Sequence, residues 1–410
     1  MMQSLRRTFV DACLADDARA RDWCGALHEV CRDVVAPGAA ARDREARYPA
    51  EALAALREVG VFGLTIPEEL GGIGMTPGVA TLAIEELAAA CPSVAAIVMF
   101  HLQVARRTLY SGSRRHLQDH LPRLASGEWL GASAWSESGS GSQKSAPRAR
   151  MTPSPDGTWR ISGEKVWCTG LRGAALFHVL VSGPVPEGRP PATFVAVSGS
   201  AHGVSIEPRD MLGLRASSTG TLRLDEVAIS SDDVIGAPGS GMALMQENHR
   251  TCIHPGAIAL GIARSVFELT VGIASGAVHG SSDITGHQNT RFQLADSELD
   301  LLSAYAVAGH AVRLVAGDAP DLPSESMKFK IVASAAARRI ADRAMLLGGA
   351  KGFDRDAPLE RWFREAQATG LMGPTAEIIR ERMAEQLLRT YAESNKSNER
   401  RDPLADAGKA

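Results

Sequence analysis

The spacing of apolar residues changes twice along this chain. Over the first 130 residues it follows a helical period. Ala50–Val59 (AEALAALREV) keeps its apolar side chains on one face and stops at Gly60. Thr76-Pro77 opens a second helix, with a capping hydroxyl followed by proline at the first helical position. It runs through Ile84-Glu85-Glu86-Leu87 and ends before Pro92. Arg114–Leu124 predicts a third, closed by Ser126-Gly127. From residue 131 to about 232 the runs become short and several alternate: Trp159–Trp167, Phe177–Ser182, Thr193–Ser198, Val204–Glu207 and Thr221–Ile229. Glycine, proline, serine and aspartate separate them, and Ser182–Pro191 reads as a surface loop. This predicts an antiparallel β module. Beyond Gly241 the helical period returns over Ala257–Ala274, Asn289–Ala316, Ser324–Leu347 and Thr375–Thr390, four helices that suggest an antiparallel bundle. The predicted class is α+β: an N-terminal helical domain (1–130), a middle antiparallel β domain (131–235), a C-terminal four-helix bundle (236–392) and a polar, disordered tail (393–410).

Composition narrows the functional classes. At 410 residues and 45% hydrophobic, the chain is long enough for two or three domains with full cores. The 44 basic and 47 acidic residues give a net charge of −3, which excludes a charge-driven nucleic-acid or membrane-surface role. No uninterrupted apolar run reaches the roughly 18–20 residues of a membrane span, and the N-terminus does not read as a secretory signal. Cys13, Cys24, Cys31, Cys91, Cys168 and Cys252 form no CxxC pair, so reduced thiols and a cytoplasmic location are expected. There is no P-loop, HExxH or GxSxG. Gly71-Gly72-Ile73-Gly74 lacks the third glycine of a dinucleotide fingerprint and follows helix rather than strand. His116 and His120 stand at i, i+4 among Arg114, Arg115 and Asp119, a setting that reads as a solvated face rather than a metal site.

Six segments, in order, resemble the acyl-CoA dehydrogenase family of FAD flavoproteins across roughly residues 45–390. Leu64–Gly72 (LTIPEELGG) is similar to the family's "VPEEYGG" turn, and Leu121–Gly131 (LPRLASGEWLG) to "LPxLASGEWxG". Ala134–Ser142 (AWSESGSGS) stands where the family has "xTEPGAGSD", and Gly163–Gly170 (GEKVWCTG) resembles "GEKxWITN". Gly213–Thr219 (GLRASST) is similar to "GxRxSxT", and Pro358–Glu365 (PLERWFRE) to "PVERLxRD". The resemblance implies that Trp135, Ser136, Trp167 and Thr169 line one face of the flavin. An indole can stack on such a ring, and hydroxyl or amide donors can stabilise charge on it. Ser142, in a Gly-Ser loop, would offer free amides to the cofactor pyrophosphate or to a thioester substrate's phosphates. Gln288 and Gly349 correspond to the family's "HQ" and "GGxG" contacts to flavin across a homodimer or homotetramer.

The chemistry-bearing position departs from the pattern. The family removes an α-proton with a carboxylate in a "YEGT" segment, and the count from Glu365 arrives at Gly373. An alternative family position, at the start of the first bundle helix, aligns with Thr251-Cys252 without a gap or with His249-Arg250 after a two-residue insertion. His249 is the candidate replacement base, since imidazole titrates near neutral pH, and Arg250 a candidate substrate contact. The family's cationic FAD anchor is replaced by Ala277, a loss of about 1–3 kcal/mol for a charged hydrogen bond. Three functions follow from the resemblance. One is an FAD oxidoreductase acting on an acyl thioester of CoA or a carrier protein, with an electron-transfer flavoprotein as partner. The second is a monooxygenase using reduced flavin and O2, supplied by a flavin reductase. The third is a non-catalytic subunit of a hetero-oligomer.

Overall fold

In a computed structural model, the chain is described over residues 2–141, 143–276, 278–279, 282–317 and 322–399. The N-terminal part contains α1 (Met2–Leu14), α2 (Ala18–Val30), α3 (Ala39–Arg44), α4 (Ala50–Glu58), α5 (Pro77–Ala90), α6 (Pro92–Ser111) and α7 (Leu121–Ala125). Thr76 caps α5 as its sequence predicts, its hydroxyl accepting from the Val79 amide at 3.3 Å. The predicted helix over Arg114–Leu124 forms, but it widens into a π-turn at His116–His120 before continuing as α7. His116 and His120 are both buried, not solvated, with ring centroids 4.8 Å apart and His120 lying 5.3 Å from Trp129. The wider turn rotates both imidazoles inward. Among the described residues, no group of three or more His, Cys, Asp or Glu side chains could hold a metal.

The middle domain is one sheet of eight strands: β1 (Leu130–Ala134), β2 (Arg150–Pro153), β3 (Trp159–Cys168), β4 (Ala174–Ser182), β5 (Ala192–Ser198), β6 (Val204–Pro208), β7 (Gly220–Ile229) and β8 (Val234–Ile235). The order is β6-β7-β3-β2-β4-β5-β8, with β1 beside β4. It is mixed rather than purely antiparallel, because β1 and β2 run parallel to β4. Neither strand shows in the apolar pattern. β1 (LGASA) is buried along its whole length against α6, so it has no polar face to alternate.

The C-terminal part holds α8 (Gly241–Glu247), α9 (Pro255–Gly276), α10 (Gln288–Ala316), α11 (Leu322–Gly352), α12 (Pro358–Leu371) and α13 (Ala376–Glu399), with a small hairpin of β9 (Val278–His279) and β10 (Ser282–Asp283) before α10. The helix that completes the bundle is α12, not the predicted Thr375–Thr390, since α12 packs on both α9 and α11. α13 instead leaves Leu387, Leu388 and Tyr391 exposed, and it continues to Glu399, into the segment predicted to be disordered. Gly241–Gly276 and Gln288–Ala316 are, contrary to the sequence reading, apolar and long enough to cross a bilayer by length and composition alone. Their apolar windows are 61% and 39% buried inside the protein, so packing in the core covers most of the first but not of the second. α9 lies so close to α5 that a methyl at Gly261 would sit 2.2 Å from the Glu85 carbonyl oxygen. Arg264 fixes this seam, its Nε 2.8 Å from Glu85 Oε1 and its Nη2 2.8 Å from Glu86 Oε2. Tyr305 of α10 donates to the same Glu85 oxygen at 2.8 Å.

Candidate active site

Two regions of the molecule carry the predicted site residues. The first is the sheet around Trp167. Its strand β3 bulges between Lys165 and Cys168, and Trp167 takes a left-handed φ of +56° there. The bulge turns the indole outward, leaving it 54% exposed although it lies inside a strand. A large flat apolar ring held out of a rigid sheet is what a flavin face requires of its support. Two residues on, Thr169 is buried and shares a 3.0 Å hydrogen bond with Thr219, whose hydroxyl also lies 2.8 Å from Ser217. These hydroxyls belong to the GLRASST segment, so that motif and GEKVWCTG meet here.

Ser136 follows β1, and its carbonyl accepts the Val166 amide at 2.8 Å, one residue before Trp167. Glu137 fixes this junction from beneath. Its carboxylate accepts from Lys165 Nζ at 2.5 Å and from the Ala149 amide at 2.9 Å in a buried setting, and from the half-buried Arg148 amide at 2.7 Å. Neither Glu137 nor Lys165 stood out in the sequence, although both lie in the resembling motifs. Lys144 also reaches in, donating to Ser136 Oγ at 3.2 Å. Trp135 points elsewhere: its indole packs against α6 and β5, with ring centroids 6.3 Å from both Phe100 and Phe194. Its Nε1 is buried without a hydrogen-bond partner. Ser142 lies outside the described residues, as do Ala277 and Gly280.

The second region is the junction of α9, α11 and α12. Gly373, just past α12, has a φ of +67°, and a methyl on it would touch only Pro255 Cγ, at 3.8 Å. Pro255 begins α9, and the turn before it carries His249 and His254. His254 is 1% exposed; its Nδ1 accepts the Gly256 amide at 3.0 Å and its ring lies 5.1 Å from Phe329 of α11. Lys330, next along α11 and 1% exposed, donates to the Pro374 carbonyl beside Gly373. His249 Nδ1, His254 Nε2, Asn248 Nδ2 and Ser326 Oγ are buried atoms without a hydrogen-bond partner. Burial, then the charges of Arg382 and Lys330, hold the His249 imidazole down to about 4. Burial, then His249 and Lys330, hold His254 down to about 3. Lys330 is lowered to about 8 by burial, opposed by Glu377. Both imidazoles are therefore neutral at pH 7 and the ammonium is retained.

His254 and Lys330 escaped the sequence reading. A histidine before a helix-starting proline and a lysine at i+4 from Ser326 carry no periodic signal of their own. Thr251 and Cys252, the ungapped alternatives, are buried structural residues: Thr251 bonds the Asn248 carbonyl at 2.9 Å, and Cys252 is fully buried. Arg250 is exposed, with Nε 3.4 Å from Glu247. Glu365 is the nearby carboxyl on α12, pushed up to about 7 by burial, but it accepts the Leu214 amide at 3.0 Å and ties the bundle to the middle domain. Gln288 opens α10 and Gly349 interrupts the end of α11 at φ +54°; both are exposed and sit on the bundle, apart from the sheet residues.

A helical domain, a mixed sheet with an outward indole and a C-terminal helix bundle together define the fold of an acyl-CoA dehydrogenase-like flavoprotein. Profiles of the acyl-CoA dehydrogenase N-terminal, middle and C-terminal domains match residues 17–128, 132–227 and 239–388. The chain belongs to the acyl-CoA dehydrogenase family, and FAD is its cofactor. It is 31% identical over 372 residues to the mitochondrial short-chain specific acyl-CoA dehydrogenase of Mus musculus, covering 89% of this chain and 90% of that one. It is 29% identical over 364 residues to the 3-sulfinopropanoyl-CoA desulfinase of Paraburkholderia xenovorans, covering 87% and 92%. Butyryl-CoA dehydrogenase from Megasphaera elsdenii shares the fold, with a TM-score of 0.85 at 24% identity over 90% of this chain and 98% of that one.

Proposed function

We propose that this protein is an FAD-dependent oxidoreductase that oxidises an acyl thioester, with His249 as the group that takes the α-proton. The observation that carries this is the His249 Nδ1 atom: buried, unpartnered and neutral, at the junction where Gly373 replaces the family's carboxylate. FAD, when bound, supplies the two-electron acceptor for the hydride that leaves the β-carbon. The chain's own residues supply the rest. Trp167 supports one face of the ring, while Ser136 and Thr169 offer hydroxyls at its edge. Glu137 and Lys165 keep Ser136 and the Trp167 strand in register. His249 accepts the proton from the α-carbon, and Lys330 keeps the resulting positive charge from persisting there, favouring its onward loss. The exposed Phe292, Leu299, Leu302 and Leu346 on α10 and α11 support a homo-oligomer assembled through the bundle. The relatives support CoA or a carrier protein as the thioester and an electron-transfer flavoprotein as the electron acceptor.

Gly373 itself favours a second reading, a monooxygenase on the same fold, because reduced flavin and O2 need no α-proton acceptor. Anaerobic mixing of the FAD-loaded protein with short acyl-CoA thioesters separates the two. Bleaching of the flavin, slowed at least tenfold in His249→Ala, supports the dehydrogenase. No bleaching, together with substrate-dependent O2 consumption by the reduced protein, overturns it.

A further inference from the structure

Helices α1 and α2 both rest on α5, and a half-enclosed cavity of about 250 Å³ lies between the three, lined by none of the residues assigned to the site above. Val10 and Leu14 of α1, Leu27 of α2, and Leu82 and Ala83 of α5 give it apolar walls. Gly25 of α2 keeps it open, since a methyl there would meet nothing within 4 Å. Glycine inside a helix is destabilising relative to alanine, and no close neighbour at position 25 requires it.

The charged side chains on the wall already have partners. At one end Arg6 donates to Glu85 and, through Nη2 at 2.7 Å, to Glu86, while His28 Nδ1 lies 2.7 Å from Glu86 Oε1. Arg264 adds a second guanidinium to the same two carboxylates. At the other end Arg21 Nη2 donates to Asp16 Oδ1 at 2.7 Å. Burial pushes the Cys24 thiol, also on the wall, up to about 11, so it carries no charge at pH 7. Arg21 and His28 stand two turns apart on α2, which puts about 10 Å of apolar wall between the paired ends. A charged guest would give up its hydration here for no free partner, whereas an uncharged chain gains by leaving water.

We infer that the cavity between α1, α2 and α5 is a binding site for a small uncharged aliphatic molecule, such as a medium-length alcohol, held by apolar contact. Its size sets the length of the guest: an apolar cavity of about 150 Å³ holds benzene, so this one holds roughly ten heavy atoms in a chain. Because α1 supplies one wall, an occupant also fastens α1 to α2 and α5.

The experiment titrates the FAD-loaded, full-length protein with octan-1-ol, octanoate and octylamine by calorimetry, and follows amide hydrogen exchange in α1 and α2. Octan-1-ol is expected to bind about tenfold or more tighter than either charged probe and to slow exchange in α1. Gly25→Leu grows a side chain into the space and gains helix propensity, and it is expected to weaken octan-1-ol binding about tenfold or more. Val10→Phe, from the α1 side, is expected to do the same and decides alone should Gly25→Leu not fold. No binding of octan-1-ol overturns the inference. So does equal binding of octanoate or octylamine, since the walls would then offer a charge partner. Octan-1-ol binding unchanged in both variants overturns it as well, by placing the chain in another part of the protein.

Discussion

Returning a carboxylate to position 373 tests the central claim about this site. The space is available: the first atom of a new side chain meets only Pro255 Cγ, at an ordinary contact distance of 3.8 Å. The cost is conformational. At φ +67° an L-residue pays about 1–2 kcal/mol relative to glycine, so Gly373→Glu should fold with a modestly lower Tm. The Lys330 ammonium, bonded to the adjacent Pro374 carbonyl, would hold the new carboxylate in its ionised, proton-accepting form. A well-placed general base contributes about 10²–10⁴ in rate, or roughly 3–5 kcal/mol of barrier. The informative background is His249→Ala, which removes the proposed base and should slow anaerobic flavin bleaching by a comparable factor. Adding Gly373→Glu to it should then recover at least about a hundredfold of the lost rate. Stopped-flow bleaching with a short acyl-CoA reads the rate, and circular dichroism with flavin content confirms the fold. If the double variant is folded and flavin-loaded yet bleaches no faster than His249→Ala alone, position 373 does not face the α-carbon and the assignment fails.

Other consequences concern stability and cofactor binding. His249 and His254 are held down to about 4 and about 3, below the unfolded value of about 6.5, so the unfolded chain binds more protons in acid. Their contribution is complete above pH 6.5 and lost as pH falls toward 4. Each adds up to about 1.4 kcal/mol per pH unit to that slope, and His254→Gln should flatten a urea-midpoint profile between pH 6.5 and 4.5 by about one proton. Lys165→Met strands the buried Glu137 carboxylate and should cost about 3–5 kcal/mol in denaturant unfolding. Adding Glu137→Gln should recover most of it, and no recovery would remove this pair from the site's support. Trp167→Ala should leave the apo protein's Tm within about 2 °C, since the 54% exposed indole adds little to the core, while raising the FAD Kd about tenfold or more. Unchanged flavin affinity in that variant would separate Trp167 from the cofactor.

How much of this was legible in the chain depended on whether a residue's role was periodic or singular. α4 and α5 form where apolar spacing and a Thr-Pro cap predicted them, because each carries its own stop signal, although α5 is buried on every side rather than on one face. β1 stayed hidden because both of its faces are covered, which erases alternation. α12 was passed over as bundle helix in favour of the segment after Gly373, although its apolar stripe is the clearer one. What separates the two is packing on α9 and α11, which the sequence does not display. His116 and His120 show the same limit: their i, i+4 spacing implied one helical face, and a single π-turn moved that face into the core.

The site was legible where a motif is continuous and obscure where it is assembled. GEKVWCTG keeps Trp167 and Thr169 together because one lies at the end of β3 and the other directly follows it, and the bulge there cannot be inferred from composition. The string AWSESG does not display that the Trp135 indole packs between Phe100 and Phe194 once β1 packs on α6. Counting residues led to Gly373, yet not to what surrounds it, since Lys330 stands more than 75 residues along the chain from His249 and His254. Only that assembly shows a buried lysine and two neutral histidines gathered at the start of α9, beside the turn that holds the glycine.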